Sequence, residues 1–413
     1  MTNEYPKLRP IQTVPVMVND EIMIGLRDPH DLSETGSQMV VMTKEALQVV
    51  SLFDGTNSIT DIQTVLTRLM GGVLFPREHL DDMVAMLDRH FLIESDRYRQ
   101  VLSAYRDAKV RKGILPGYNL PGEPGQLAEL LNRVMSEATA ELPDQPVRAI
   151  IAPHIDVFRG SAAFAESYRA LATNHEAQIF VVLGTSHYAD TNTRFAFTRK
   201  DYETPWGCVP VCQEFVNRVA QKSSQDILAD EILHKGEHSI EFAALFLHHT
   251  IGKSRPIQIV PILVGSFHDC IENQQSPRDV KAIAELLAAI SATATEMGRE
   301  RIAWIASGDL SHVGQKFGDE TTPDEFLLSR VRMADMECLE AAQNGDAEVF
   351  FAKLAAHRNQ FRVCGASPIY ALLDALKPER VTGKLLRYDQ SQESETDSVV
   401  TLASLSFTQN GAT

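Results

Sequence analysis

Phe180-Val181-Val182-Leu183-Gly184-Thr185-Ser186-His187 is a short apolar run that stops at a glycine, two hydroxyls and a histidine. Runs of this length and composition fit a strand buried on both faces. The arrangement recurs in Ile150-Ile151-Ala152-Pro153-His154 and in Ala303-Trp304-Ile305-Ala306-Ser307-Gly308-Asp309-Leu310-Ser311-His312. Two further motifs, Glu237-His238-Ser239-Ile240-Glu241 and Val363-Cys364-Gly365-Ala366-Ser367-Pro368, open apolar helices. In open α/β sheets, sites form where the C-terminal ends of strands converge. One shared pocket is therefore expected.

Outward from these motifs, helical segments (126–140, 160–172, 239–250, 278–297, 323–343, 366–376) alternate with apolar strands (148–152, 179–184, 257–264, 302–307). That alternation predicts an α/β domain, a parallel or mixed sheet with helices on both faces. Ser398 to Phe407 reads as a final edge strand. The charged stretch Arg99–Lys112 and the turn-rich Leu115–Gly125 make residues 101–125 a linker ahead of a domain at 126–413.

Residues 1–100 read as a separate α+β unit. Val14–Val18 and Glu21–Leu26 form two short strands around an Asn19-Asp20 turn, and Met39–Met42 a third. Thr43 caps a helix through Phe53, and Ser58 or Thr60 caps a second with Ile62, Val65, Leu66 and Leu69 inward. A third follows Pro76 with Leu80, Met83, Val84 and Leu87 inward, before Phe91-Leu92-Ile93 closes the unit.

Composition narrows the function. At 413 residues the chain exceeds one ordinary core. It is 44% hydrophobic and 23% charged, as soluble globular proteins are. Its net charge of −16, from 39 basic and 55 acidic residues, opposes nucleic-acid or anionic-membrane partners. No apolar run approaches the roughly 18 residues of a membrane span, and the start shows no secretory leader. Five scattered cysteines point to a reducing cytoplasm. Cys208 and Cys212 lack a second pair and make a poor zinc site.

His154 and His187 each follow a strand among small or polar residues, a setting open to a metal or substrate. Asp309 and His312, three apart, share a face if a helix starts there; Asp309 then orients an imidazole, ligates metal or merely caps. His312 is a candidate acid or base, and His238 stands between Glu237 and Ser239 where an apolar helix opens. Glu237 and Glu241 form an i, i+4 carboxylate pair, with capping by Glu237 or Ser239 as the alternative. His248 and His249 read as helix-terminal charges, and His30, His79, His90, His175, His234, His268 and His357 as surface or packing residues. Cys364 at a helix start is a candidate thiolate ligand, otherwise a packed thiol.

Two resemblances follow. Leu26-Arg27-Asp28-Pro29, Met42-Thr43-Lys44-Glu45-Ala46, Phe53-Asp54-Gly55-Thr56 and Leu87-Asp88-Arg89-His90-Phe91-Leu92-Ile93 resemble the PqqD-like winged-helix family, over about 80 residues. It implies a peptide or protein partner, such as a radical-SAM enzyme, while the missing basic helix argues against DNA. From about residue 114, Ala152-Pro153-His154, Gly184-Thr185-Ser186-His187, Thr204-Pro205-Trp206-Gly207, Glu237-His238-Ser239-Ile240-Glu241, Val260–Gly265, Ser307–His312 and Cys364-Gly365 resemble the Memo family, protein B of the AmmeMemoRadiSam system. The resemblance implies a fold like the class III extradiol dioxygenases. It implies a transition metal, iron or copper with zinc possible, on His154, His187 and Cys364, with His238, Asp309 and His312 nearby. Ile155-Asp156-Val157-Phe158 departs from the family's usual Ala-Gly-Tyr. Three functions stay open: a metal-dependent oxidoreductase in a radical-SAM-associated pathway, a non-catalytic peptide or small-molecule binder, and a metal-dependent hydrolase using Glu241 or His312.

Overall fold

The computed structural model describes residues 4–19, 21–28, 30, 32, 39–190 and 192–409. The chain divides into two compact units, Met1–Ala108 and Lys109–Thr413. No helix among the described residues is long and apolar enough to cross a membrane.

In the first unit, β1 (Gln12–Val18), β2 (Glu21–Arg27) and β3 (Val40–Met42) form an antiparallel sheet in that order. Pro15 is tolerated because β1 lies at the end of the order. Asn19 turns the chain at φ 49°, a left-handed conformation asparagine accepts; Asp20 and Pro29, parts of the sequence reading, lie outside the described residues. Four helices follow: α1 (Lys44–Val50), α2 (Ile59–Leu69), α3 (Arg77–Arg89) and α4 (Asp96–Asp107). Thr43 caps α1, and Ser58 with Asp61 forms a capping box on α2. The inward stripe of α2 is Ile59, Ile62 and Leu66, whereas Val65 and Leu69, expected inward, are exposed. Val65 lies off that stripe at helical spacing, and Leu69 is the last residue of the helix. Leu26, Val50, Phe53, Ile62, Leu80, Leu87 and Ile93 close the core.

The second unit begins with β4 (Val110–Arg111), α5 (Pro124–Met135), β5 (Val147–Ala152), α6 (Val157–Leu171) and β6 (Ile179–Thr185). It continues through β7 (Phe195–Phe197), β8 (Asp201–Thr204), β9 (Gly207–Val209), α7 (Gln213–Lys222), α8 (Leu233–Gly236), α9 (Ser239–Leu247) and β10 (Gln258–Val264). The remainder is α10 (His268–Glu272), α11 (Lys281–Glu296), β11 (Ile302–Ser307), β12 (His312–Gly314), α12 (Glu325–Gln343), α13 (Ala347–Ala356), α14 (Ala366–Leu376), β13 (Val381–Glu393) and β14 (Ser398–Gln409).

The main sheet runs β12-β14-β5-β11-β6-β10-β7, with β13 also on β14. β5, β11, β6 and β10 are parallel and the outer strands antiparallel, so the sheet is mixed and flanked by helices. Every residue of β5, β6 and β11 is buried, as coverage of both faces demands. β14 was expected at an edge. It lies inside the sheet between β5 and the β12 and β13 partners, and its first ten residues are buried.

The first unit has its own core and capped helices, so residues 1–108 expressed alone should fold. A cooperative thermal melt followed by circular dichroism is the expected outcome; a flat, unfolded spectrum would refute it.

Candidate metal centre

β5, β11 and β6 are adjacent and parallel, and Ser307 at the end of β11 pairs with both Ala152 and Gly184. Three strands therefore end level, and the loops after them carry His154, Asp309 and His187. Helices α9 and α14 start against the same rim and bring Glu237, His238 and Cys364. The rim is tied by short bonds. Ser307 Oγ donates to the Ser239 carbonyl at 2.6 Å, and Ser239 Oγ to the Thr185 carbonyl at 2.8 Å.

Two glycines let the last loop approach. A Cβ on Gly308 would stand 2.5 Å from the Gly365 Cα, and one on Gly365 would stand 2.7 Å from the Asp309 carbonyl oxygen. With no side chains there, the Gly365 N–H reaches that carbonyl at 2.8 Å. Cys364 is thereby set beside Asp309, with Sγ 3.6 Å from the same carbonyl and 3.4 Å from His154 Nε2.

Each central imidazole commits one nitrogen to the protein. His154 is 3% exposed, and its Nδ1 donates to the Ser307 carbonyl at 3.1 Å, which leaves the Nε2 lone pair facing the thiol. Burial, with His187 and His238 nearby, holds its pKa well below the usual value, so it stays neutral. His187 donates from Nδ1 and from its backbone N–H to the Glu237 carboxylate, at 3.0 and 2.8 Å. Burial opposes charge on His187, but Glu237 and Cys364 beside it hold its pKa well above the usual value. Glu237 is 1% exposed and also accepts the His238 and Ser239 N–H groups. Despite burial, its pKa is held low by the His187 charge and hydrogen bonds. A carboxylate behind a histidine fixes tautomer and ring orientation in metal sites.

Ligand-capable atoms of His154, His187 and Cys364 lie within 4.8 Å of one another. Two further groups meet the same limit: His187, Glu237 and His238, and Asp309, His312 and Cys364. The His238 ring stacks on His187 with centroids 5.0 Å apart, and burial lowers its pKa to about 4. Asp309 is 2% exposed, and its Oδ1 accepts the His154 N–H at 3.0 Å. Burial raises its pKa to about 7. Burial likewise lowers His312 to about 4, and its Nδ1 donates to the Leu310 carbonyl at 2.9 Å.

Three expectations are corrected. Asp309 and His312 do not start a helix: His312 opens β12, because Leu310 and Ser311 pair with Thr401 of β14 and the His312 N–H bonds the Phe361 carbonyl. Glu237 and Glu241 do not converge as an i, i+4 pair, since Glu237 precedes α9. Fully buried Glu241 instead accepts from Arg111 and from the Ile114 and Leu115 N–H groups, so it is neither ligand nor base. His249 is no solvated charge: it is 8% exposed between Asn132 and Lys253, with a pKa lowered by burial to about 4.

Sequence reasoning missed Asp335 of α12. This buried carboxylate receives Ser311 Oγ and Thr401 Oγ1, both at 2.6 Å, and Tyr388 OH at 2.9 Å, and so braces the strand carrying His312. It sits in an ordinary amphipathic helix and leaves no motif. Glu237 was legible as part of the motif but not as the partner of His187. A chamber of about 150 Å³, lined by Thr185, Ser186, His187, Asn359, Cys364 and Ser367 among others, opens beside the cluster.

The sequence also matches known proteins over most of its length. A family model described as Memo-like protein matches residues 111–406. A MEMO1 family protein of Aquifex aeolicus is 30% identical over 387 residues, spanning 92% of this chain and 95% of that relative. One of Pyrococcus furiosus is 27% identical over 304 residues, 72% of this chain and 98% of the relative. One of Methanosarcina mazei is 28% identical over 270 residues, 64% and 87%. The chain belongs to the Memo-like family.

Two outcomes follow. Gly308→Ala should lower stability by about 1–3 kcal/mol, because backbone blocks the new methyl. Gly125→Ala, with nothing within 4 Å, should not; equal denaturation midpoints for the two variants would count against the close approach. Burial lifts the Asp309 carboxyl from the ordinary aspartate value of 3.8 to about 7 in the folded chain. In the metal-free protein its stabilising contribution is full below the lower value and is lost as pH rises to the upper, by roughly 1.4 kcal/mol per pH unit at most. Metal-free Asp309→Asn should therefore melt above the parent at pH 8 and level with it near pH 4. A pH-independent difference would refute the burial argument.

Proposed function

We propose that this Memo-like protein binds one redox-capable transition metal, iron or copper, on His154, His187 and Cys364, and that it oxidises a substrate held in the adjoining chamber. One observation carries the reading: two imidazole nitrogens and a thiol converge within 4.8 Å, from three chain segments. The donor set fits. One ring nitrogen of each histidine is anchored by protein, and the other is directed at the sulfur. Imidazole and thiolate suit copper and iron, with zinc also accommodated.

When bound on His154, His187 and Cys364, such a metal would supply electron transfer and oxygen activation. The chain's own residues do the rest. Glu237 holds the His187 ring and offsets its charge. His312 and Asp309 lie beside Cys364, where a neutral imidazole can take a proton and a carboxyl group with a pKa of about 7 can give or hold one near neutrality. Hydrolysis is less well served, since Glu241 is spent on Arg111.

In this reading the N-terminal unit offers a sheet edge to a peptide or protein partner, such as a radical-SAM enzyme of the same pathway. The five cysteines, all free, accord with a reducing cytoplasm.

Protein purified without oxygen should carry about one iron or copper per chain by elemental analysis. His154→Ala or His187→Ala should lose most of it. Glu237→Gln, which keeps the shape but loses the charge, should weaken affinity roughly 10–100-fold. Capture should release protons and tighten as pH rises, because His187 and Cys364 must both deprotonate. Metal retention by both histidine variants would sink the assignment, and zinc alone without oxygen consumption would sink the oxidation.

A further inference from the structure

Thr204-Pro205-Trp206-Gly207 and the paired His248-His249 take no part in the metal centre, yet they build a second polar cluster around Lys253. Helix α9 ends there in a single π-helical turn, His248–Gly252. The Lys253 N–H reaches the His248 carbonyl at 3.1 Å, one residue further back than in an α-helix. Such turns are rare and occur often at functional sites.

Three side chains stand in line. Lys253 Nζ lies 2.9 Å from His249 Nδ1, and His249 Nε2 lies 2.9 Å from Asn132 Oδ1. An amide oxygen only accepts, so Nε2 carries the ring proton and Nδ1 presents its lone pair to the amine. The imidazole is 8% exposed, and its pKa is lowered to about 4, by burial first and then by the Lys253 charge. It is therefore neutral at pH 7 and able to accept a proton. An amine, a base and a group that fixes the tautomer of the base are the parts of an activated nucleophile.

Trp206 forms the floor of the cluster. Its Nε1–H donates to the Pro124 carbonyl at 3.1 Å and its backbone N–H to Thr204 Oγ1 at 3.2 Å, which fixes the ring. Lys253 Nζ stands 4.8 Å from the ring centroid. The ring itself favours the ammonium, but partial burial works against it and lowers the Lys253 pKa. No carboxylate lies within ion-pair distance of Lys253 among the described residues, so no anion holds the amine in its charged form. The side chain is exposed and open to a reagent from solvent.

We propose that Lys253 is a nucleophilic lysine that is acylated by a small activated acyl donor, an acyl phosphate or an acyl thioester, with His249 as the base. The free amine donates one N–H to His249 Nδ1 and turns its lone pair to solvent. Attack on the acyl carbon forms the C–N bond. Phosphate or thiolate leaves with the electron pair of the bond that breaks. The proton shed by the nitrogen passes to His249 Nδ1 and from there to the leaving group or water. The amide product keeps one N–H, so its bond to His249 can be remade, while the positive charge over Trp206 is lost. This site is independent of the metal reading.

In the test, the full-length protein is incubated at pH 8 with acetyl phosphate and, separately, with acetyl-coenzyme A. Acylation at each lysine is followed over time by peptide mass spectrometry, with the exposed Lys44 and Lys109 as references. Lys253 should react roughly tenfold or more faster than either reference with at least one donor, since a positioned base commonly contributes that much. The donor giving the larger ratio identifies the acyl class. Asn132→Leu, at an exposed helix position, frees the tautomer of His249 and should bring Lys253 down towards the reference rate. His249→Gln, which accepts the N–H but cannot hold the proton, should do the same. Melting temperature and the rates at Lys44 and Lys109 should stay at the parent values in Asn132→Leu. A Lys253 rate no greater than the references with both donors, or an advantage that survives either substitution, overturns the proposal.

Discussion

The site depends on register. Parallel pairing places the ends of β5, β11 and β6 level, with Ser307 opposite both Ala152 and Gly184. Shifting one strand by a residue would turn its side chains to the opposite face and separate His154 from His187. The loops have little freedom beyond that rim, because Ser307, Ser239 and the glycine pair lock them to each other. The preorganisation of the pocket is thus a property of the sheet, and the individual side chains inherit it.

Three buried carboxylates show how environment divides one chemistry into three roles. Glu241 meets a guanidinium and two backbone N–H groups and serves as a structural anchor. Glu237 meets His187 and stays ionised, orienting that ring. Asp309 receives backbone N–H, has no guanidinium within ion-pair distance among the described residues, and is raised by burial to a pKa of about 7. Neighbours, more than residue type, separate the anchor, the orienter and the proton-holding group.

Much of this was legible in the sequence, for a physical reason. Strands covered on both faces are continuous apolar runs, so β5, β6, β10 and β11 stood out, and the polar residues that stop them marked the rim. Elements whose character comes from distant partners did not. β13 carries Lys384, Arg387, Asp389 and Gln390 and shows no apolar run, so no element was expected there, yet it is a long strand because β14 supplies its hydrogen bonds. The segment 309–312 has helix-capping chemistry, but pairing with Thr401 overrides it. The Asp335 network is assembled from residues tens of positions apart, each locally unremarked.

Arg111 has a consequence for how such chains are built. It is 1% exposed, bonded to Glu241 and to the His234 and Glu237 carbonyls, so the Memo-like unit has a buried cation within its first few residues. The Pyrococcus furiosus relative aligns over 98% of its own length but only 72% of this chain, whereas the Aquifex aeolicus relative aligns over 95% and 92%. The domain therefore occurs with and without a leading module. A graft or truncation has to respect the guanidinium as the true first residue of the fold: exchange of whatever precedes Lys109 is a splice between modules, while a cut a few residues later strands the Glu241 charge in the interior.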